Sequence, residues 1–345
     1  MPRTLALATS LALAGCGSLI SASDYATQGP SHAYRDPADI LPASCRPCLE
    51  QYCSPEIEAC AADAECEAAS RCLYGEVNPA RGNECAAAHP SAMPVAASLG
   101  NCAISACGEC REEVAWACVG DYAWPLPVNE TEVFEDTLVD FVTGKPLGDV
   151  TVRACDRRDP ECLEPFDEQT SDPSGKVTLT LPMLKKTGFG SGEDGFDGFR
   201  WLTGPGLRPT YRYANLPAVQ GGAGVYAVAN AATTQALAQA MGIVVDPTRA
   251  VIVAEIKDCY SIHAAGVRFE ADATDAASTP YYLVTGVPNT TQTETTANGI
   301  GGWVNVPPGQ ATIVAREANT GRELARSIVS THAGATTVLV MLPSP

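Results

Sequence analysis

Val142-Thr143-Gly144-Lys145-Pro146-Leu147-Gly148-Asp149-Val150-Thr151-Val152, with Asp172-Pro173-Ser174-Gly175-Lys176-Val177 downstream, decides the fold class of most of this chain. Val150, Val152 and Ala154 alternate with Thr151 and Arg153, and Val177, Leu179 and Leu181 alternate with Thr178 and Thr180. That period of two belongs to strands with one buried face. The Thr-Gly-Lys-Pro and Ser-Asp-Pro-Ser-Gly stretches between them carry turn chemistry: glycine for positive φ, proline for a fixed φ, Asp and Ser for local hydrogen bonds. Asp140 to Pro182 therefore reads strand, turn, strand, variable loop, turn, strand.

The order of features returns about 117 residues later. Val251 to Lys257 is an apolar strand, and Ala265-Gly266-Val267-Arg268-Phe269 matches Gly148-Asp149-Val150-Thr151-Val152. Thr296-Ala297-Asn298-Gly299 and Trp303 to Pro307 match Thr170 to Pro182 in character, and Thr336 to Leu342 is the last strand. A repeated supersecondary unit is the simplest source of such self-similarity. The second copy departs by an insertion, Ala271 to Thr295, which leaves its strand count open. Thr233 to Met241 reads as one short helix between the copies, with Thr233 as cap and Gly242 as stop.

These features resemble the carboxypeptidase regulatory-like family, a prealbumin-like β-sandwich. Val142 to Val152 with Asp172 to Val177 carry the likeness in the first copy. His263 to Val267 with Asn298-Gly299 and Val306-Pro307-Pro308-Gly309 carry it in the second. The resemblance implies accessory or spacer modules without active sites.

Upstream, the pattern is different. Fifteen cysteines occur in the chain, eleven of them between Cys45 and Cys118. They are Cys45, Cys48, Cys53, Cys60, Cys66, Cys72, Cys85, Cys102, Cys107, Cys110 and Cys118. Ala and Glu fill the intervals, and Pro55 with Glu56 and Glu58 suits a helix start. Few large apolar side chains are available here, so short helices stapled by disulfides are expected. The pattern is similar to a cysteine-rich, alanine-rich module of Gram-negative surface lipoproteins, which implies no activity. Cys45-Arg46-Pro47-Cys48 and Cys107-Gly108-Glu109-Cys110 are CxxC pairs, but neither has the strand-rich flank of a thioredoxin-like enzyme or the close pairing of a zinc knuckle. Cys155, Cys162 and Cys259 follow in the β region. Eleven is odd, so full pairing demands at least one bridge from the cluster to the β region. The charged loop favours Cys155–Cys162, which leaves Cys259 for the cluster and docks the helical unit on the second sandwich.

The chain opens with Arg3, an apolar run to Leu13, and Leu13-Ala14-Gly15-Cys16. The run is too short for a permanent span and suits a signal peptide. Its end resembles the lipobox of bacterial lipoproteins, which implies cleavage before Cys16 and diacylation of that residue. Gly17 and Ser18, with no Asp at 17, favour the outer membrane by the same resemblance.

Basic residues number 22 and acidic residues 40, a formal charge of −18. Losing Arg3 with the leader makes that 21 against 40, or −19. Such a balance repels nucleic acid and anionic lipid, and leaves divalent cations or basic surfaces as partners. The four histidines, His32, His89, His263 and His332, fall in separate segments without a nucleophile elbow, H-E-x-x-H or P-loop. Gly192-Glu193-Asp194-Gly195-Phe196-Asp197-Gly198 is the one loop that suggests a ligand: Glu193, Asp194 and Asp197 could gather oxygens around calcium. Asp156, Arg157, Arg158 and Asp159 read as a solvated loop tip. Trp201, Tyr211, Tyr213 and Tyr281 are candidate platforms for a glycan or peptide.

The sequence thus predicts a multidomain, mainly β chain. A leader at 1–15 precedes a flexible tether at 16–43, a cysteine-rich helical domain at 44–120 and a linker at 121–131. Ig-like or prealbumin-like β-sandwich modules follow at 132–245 and 246–345. The expected role is that of a non-catalytic surface lipoprotein of the outer membrane, anchored through Cys16. It would act in structure, adhesion or binding of an envelope protein or glycan, with no catalytic residue and no cofactor besides calcium. A glycan- or peptide-binding module, and a thiol oxidoreductase or other extracytoplasmic enzyme, are the alternatives.

Overall fold

In the computed structural model the described residues are 46–63, part of 65–120, and 126–183, 194–259 and 263–344. The leader, Cys16, the tether, Cys45, Cys72, Cys85, Cys107, Cys110 and Glu193 lie outside them.

The helical part contributes α1 (Arg46–Tyr52) and α2 (Ser54–Ala61), the latter with Pro55 and Glu56 in its first turn. Cys53–Cys102 and Cys60–Cys66 bridge this part, and Cys48 is also disulfide-bonded. Its own core is small, centred on Cys60, Cys66, Ala69, Ala92 and Ala96. No helix among the described residues is long and apolar enough to cross a membrane.

The first repeat contains β1 (Thr131–Asp140), β2 (Thr151–Asp156), β3 (Asp167–Thr170), β4 (Lys176–Pro182), β5 (Gly198–Thr203), β6 (Thr210–Ala214) and β7 (Gly222–Val228). Helix α3 (Ala231–Ala240) follows. It starts earlier than expected, because Asn230, not Thr233, supplies the cap: its Oδ1 accepts from the Thr233 N–H at 2.8 Å. The second repeat contains β8 (Ala250–Ile256), β9 (Val267–Ala271), β10 (Thr279–Val284), β11 (Val287–Asn289), β12 (Ile300–Val306), β13 (Gly309–Glu317), β14 (Glu323–Thr331) and β15 (Thr336–Met341).

Hydrogen bonds establish the repeat more firmly than the residues do. Leu138 N–H donates to Gly175 O, Leu147 N–H to Leu138 O, and Asp149 N–H to Ser171 O. Ile256 N–H donates to Gly299 O, Ala264 N–H to Ile256 O, and Gly266 N–H to Thr295 O. Ser171 Oγ donates to Leu147 O and accepts from Val150 N–H, and Thr295 Oγ1 does the same with Ala264 O and Val267 N–H. Gly175 (φ +79°) and Gly299 (φ +65°) hold equivalent turns, where a Cβ would run into the carbonyls of Leu138 and Ile256.

Each repeat is a two-sheet sandwich, and the two are fused. One sheet has the order β4-β1-β7 and another β14-β13-β9. The third runs β11-β10-β12-β8-β15-β6-β5-β2-β3 across both repeats, and so across residue 245. Strand β15 makes the join, parallel to β8 on one side and to β6 on the other. The insertion Ala271 to Thr295 supplies β10 and β11, which extend this sheet beyond β12.

Alternation assigns the faces. Val152, Ala154 and Leu202 pack with Phe134, Leu138, Leu179, Leu181 and Tyr226 of the β4-β1-β7 sheet. The intervening Cys155, Phe199, Tyr211 and Tyr213 join Leu339, Met341, Ile252 and Ile256 in a core with Phe269, Ile313, Leu324 and Val329. The small sheets therefore cover opposite faces of the long one.

The bridge Cys118–Cys259 ties the end of the helical part to the residue just past β8, with the two cysteines 1% and 4% exposed. Cys259 N–H donates to Ala115 O at 2.9 Å, and Trp116 is buried in the second repeat's core. This is a cluster-to-β-region crossing of the kind the odd count demands, and Cys155–Cys162 closes the charged loop locally.

Two ionic groups sit inside the sandwiches. Arg200 Nε lies 2.9 Å from Asp136 Oδ2, and its guanidinium covers the Phe134 ring at 5.0 Å. Burial pushes the Asp136 carboxyl up, against the opposing charges of Arg200 and Arg212. Glu255 accepts from His263 Nε2 at 2.7 Å and faces Lys257 Nζ at 3.6 Å. Burial alone would raise the Glu255 carboxyl, but the His263 hydrogen bond and the charges of Lys257, His263 and Arg212 hold it well below the usual carboxylate range.

Two measurements check these ties. Replacing Cys118 and Cys259 together by Ser is expected to lower the unfolding free energy by about 5 kcal/mol, the closure term for so long a loop, seen as a lower urea midpoint. An unmoved midpoint would show that the bridge adds nothing. Glu255→Gln is expected to cost about 3 kcal/mol at pH 7, because Lys257 and His263 lose their buried counter-charge. A depressed carboxylate stabilises above its unfolded value near pH ~4.3 and loses that contribution as pH falls further. The acid limb of the wild-type stability curve should therefore be shallower in E255Q.

Candidate functional site

The charged loop between Cys155 and Cys162 is not the solvated tip its sequence suggests. Its disulfide turns it back over the long sheet, and Arg157 points inward. Arg157 Nε donates to Asp197 Oδ1 at 2.7 Å, Nη1 to Ile328 O at 2.6 Å and to Ser327 Oγ at 3.2 Å, and Nη2 to Ala214 O at 2.5 Å. One guanidinium thereby joins β6 and β14, which belong to different repeats. Arg158 stays outside and pairs with Asp156 at 2.6 Å. Asp159 Oδ2 accepts from the Glu164 N–H at 2.9 Å and closes the loop's far end.

Where this loop meets the β14–β15 connection, a groove of about 600 Å³ opens. Pro160 and Glu161 form one wall, and Pro308, Gln310, Ser330 and His332 lie across from them. The His332 ring stacks on Tyr211 at 4.1 Å, and Tyr211 stacks on Trp201 at 5.6 Å. The Arg153 guanidinium caps Trp201 at 5.1 Å and pairs with Glu168. Register explains the row: Arg153 faces Trp201 across β2 and β5, and Trp201 faces Tyr211 across β5 and β6.

Burial pushes the Tyr211 phenol up to about 12, with the Glu161 charge acting in the same direction. Burial also lowers His332, against the pull of Glu161, whose Oε1 lies 3.9 Å from Nδ1. The imidazole is thus neutral near pH 7, and the Glu161 side chain faces solvent, 68% exposed. Thr331 Oγ1 lies 2.9 and 3.0 Å from the carbonyls of Pro307 and Gly309, which take its proton. The groove thus offers an exposed carboxylate, backbone carbonyls and the His332 ring.

Of the calcium residues, Asp194 and Asp197 are among those described. Asp197 is spent on Arg157, Glu193 lies outside the described residues, and no trio of His, Cys, Asp or Glu able to hold a metal forms among those described. The aromatic platforms are corrected too. Tyr211, Tyr213 and Tyr281 are 6%, 1% and 5% exposed, and Tyr281 donates to Ile252 O inside a core. Trp201 is half-buried between Arg153 and Tyr211. Glu161 and His332 were not singled out by sequence, because they are 171 residues apart. The signal available was the Cys155–Cys162 spacing, which forces the loop to fold back.

No known protein family matches the chain, and no curated protein matches it. Among solved structures, it is similar to the Bacillus anthracis TIE protein over 63% of its length, at 11% identity and a TM-score of 0.21; the match spans 34% of that chain. The shaft pilin SpaA of Lactobacillus rhamnosus GG aligns with 62% of this chain and 98% of its own, at 14% identity and a TM-score of 0.20. A streptococcal ancillary pilin aligns with 63% of this chain and 64% of its own, at 13% identity and the same score. Scores this low carry no argument about activity.

Arg157→Ala is expected to cost about 1–2 kcal/mol, since it leaves the carbonyls of Ala214 and Ile328 and the Asp197 carboxylate without their donor. Proteolysis should then cut the 156–166 loop faster than in the wild type. Equal cleavage rates would show that the disulfide alone holds the loop.

Proposed function

We propose that this chain is a non-catalytic surface lipoprotein of the outer membrane. An acylated Cys16 holds it there, and the fused β region is presented to a protein partner of the envelope. The observation that carries the partner-binding role is the groove between the Cys155–Cys162 loop and the β14–β15 connection. It is preformed by a disulfide and by Arg157, and it presents the exposed Glu161 carboxylate beside His332. Disulfides in both the helical and the β parts suit an oxidising, extracytoplasmic setting. The Leu-Ala-Gly-Cys ending behind an apolar leader supports the anchor, and two or three acyl chains hold a protein firmly where one does not.

Expressed in a Gram-negative host, the protein should enter the detergent phase on phase separation. Cys16→Ser should shift it to the aqueous phase or leave it uncleaved. Unchanged membrane association of that variant would remove the lipid anchor.

A further inference from the structure

We propose that the groove receives an extended partner segment bearing lysine or arginine, with the cation seated on Glu161. This rests on the partner-binding reading above and names the chemistry of what is bound.

Charge is the first argument. The cations of the same loop already have counter-charges, Arg157 in Asp197 and Arg158 in Asp156. Arg153, at the outer end of the aromatic row, is paired with Glu168. Glu161 has His332 Nδ1 at 3.9 Å, and burial keeps that imidazole neutral near pH 7. Glu164 and Asp159 stand in the same loop, so no fixed cation of the loop offsets Glu161. A carboxylate exposed beside a low-dielectric wall, in a chain of net charge −18, draws cations from a distance and repels anionic partners.

Donor and acceptor counts agree. Pro160 and Pro308 have no N–H to offer, and the Thr331 hydroxyl proton is already taken by the carbonyls of Pro307 and Gly309. Glu161 is the one fully charged side chain of the lining, and it only accepts. Ammonium and guanidinium groups are donors only, with three and five N–H respectively. A phosphate or carboxylate would instead meet the like charge of Glu161.

Shape completes the case. A volume of about 600 Å³ exceeds one side chain and admits flanking backbone. The methylene stem of a lysine or arginine can lie along Ala333 and the His332 ring while its head reaches the carboxylate. The walls are fixed before binding by Cys155–Cys162, by the Arg157 bonds and by the Asp159–Glu164 contact, so little ordering entropy is lost.

The test titrates the purified full chain in detergent with a fluorescein-labelled, amidated Gly-Lys-Gly-Lys-Gly peptide and with its Glu-for-Lys counterpart, read by fluorescence anisotropy. The lysine peptide should bind and the acidic one should not. Affinity should fall about tenfold in Glu161→Gln, the loss of one charge-assisted contact, and should weaken with added salt. Glu135→Gln, on the outer face of the β4-β1-β7 sheet, should bind as the wild type does. Absent binding, equal binding of the acidic peptide, an unchanged E161Q or an equal loss in E135Q would each overturn the proposal. Detergent partition of E161Q reports separately on the anchor, so the two readings fail independently.

Discussion

Six residues of β15, Thr336 to Met341, pair in parallel with Val251 to Ile256 of β8, and five of them pair in parallel with Thr210 to Ala214 of β6. On the β8 side this is the internal pairing of the second sandwich, equivalent to β7 on β1 in the first. On the β6 side it is a junction between sandwiches. Because β6 belongs to the sheet containing β2 and β5, the junction joins unlike sheets of the two repeats. The long sheet and the placement of its covers on opposite faces follow from that one choice of neighbour.

The junction also determines how burial is shared. Phe199, Tyr211 and Tyr213 come from the first repeat, yet they pack in the core of the second. Alternate residues of β5 and β6 therefore serve two different cores. A side-by-side fusion of this kind buries more apolar area than two modules on a linker, and the hydrophobic gain scales with that area. The thin helical part benefits similarly: Trp116 enters the second repeat's core and Cys118 is bonded beside it.

The groove is a by-product of the same geometry. Residues from β2's following loop and from the β14–β15 connection meet only because β6 and β15 are neighbours. Arg157 then spans the seam with bonds to Ala214 and Ile328. Each wall belongs to a loop of a different repeat, and Cys162 turns its loop with a positive φ of 50°.

The sequence by itself determined β2, β4, β8, β9, β12 and β15, the turns at Gly175 and Gly299, the repeat and the need for a cysteine crossing, but not β5, β6, β7, β13 or β14. These depend on local periodicity, on Gly175 and Gly299, and on a count. It misread Thr233 as a cap, Arg157 as solvated, and Tyr211, Tyr213 and Tyr281 as exposed, because period two identifies alternate faces without saying which sheet will cover them. Glu161 and His332 were invisible as a pair, since nothing local relates residues that far apart. Only the tertiary structure decided that β15 would lie against β6, because strand pairing between modules depends on backbone hydrogen bonds that any side chain at the edge can permit.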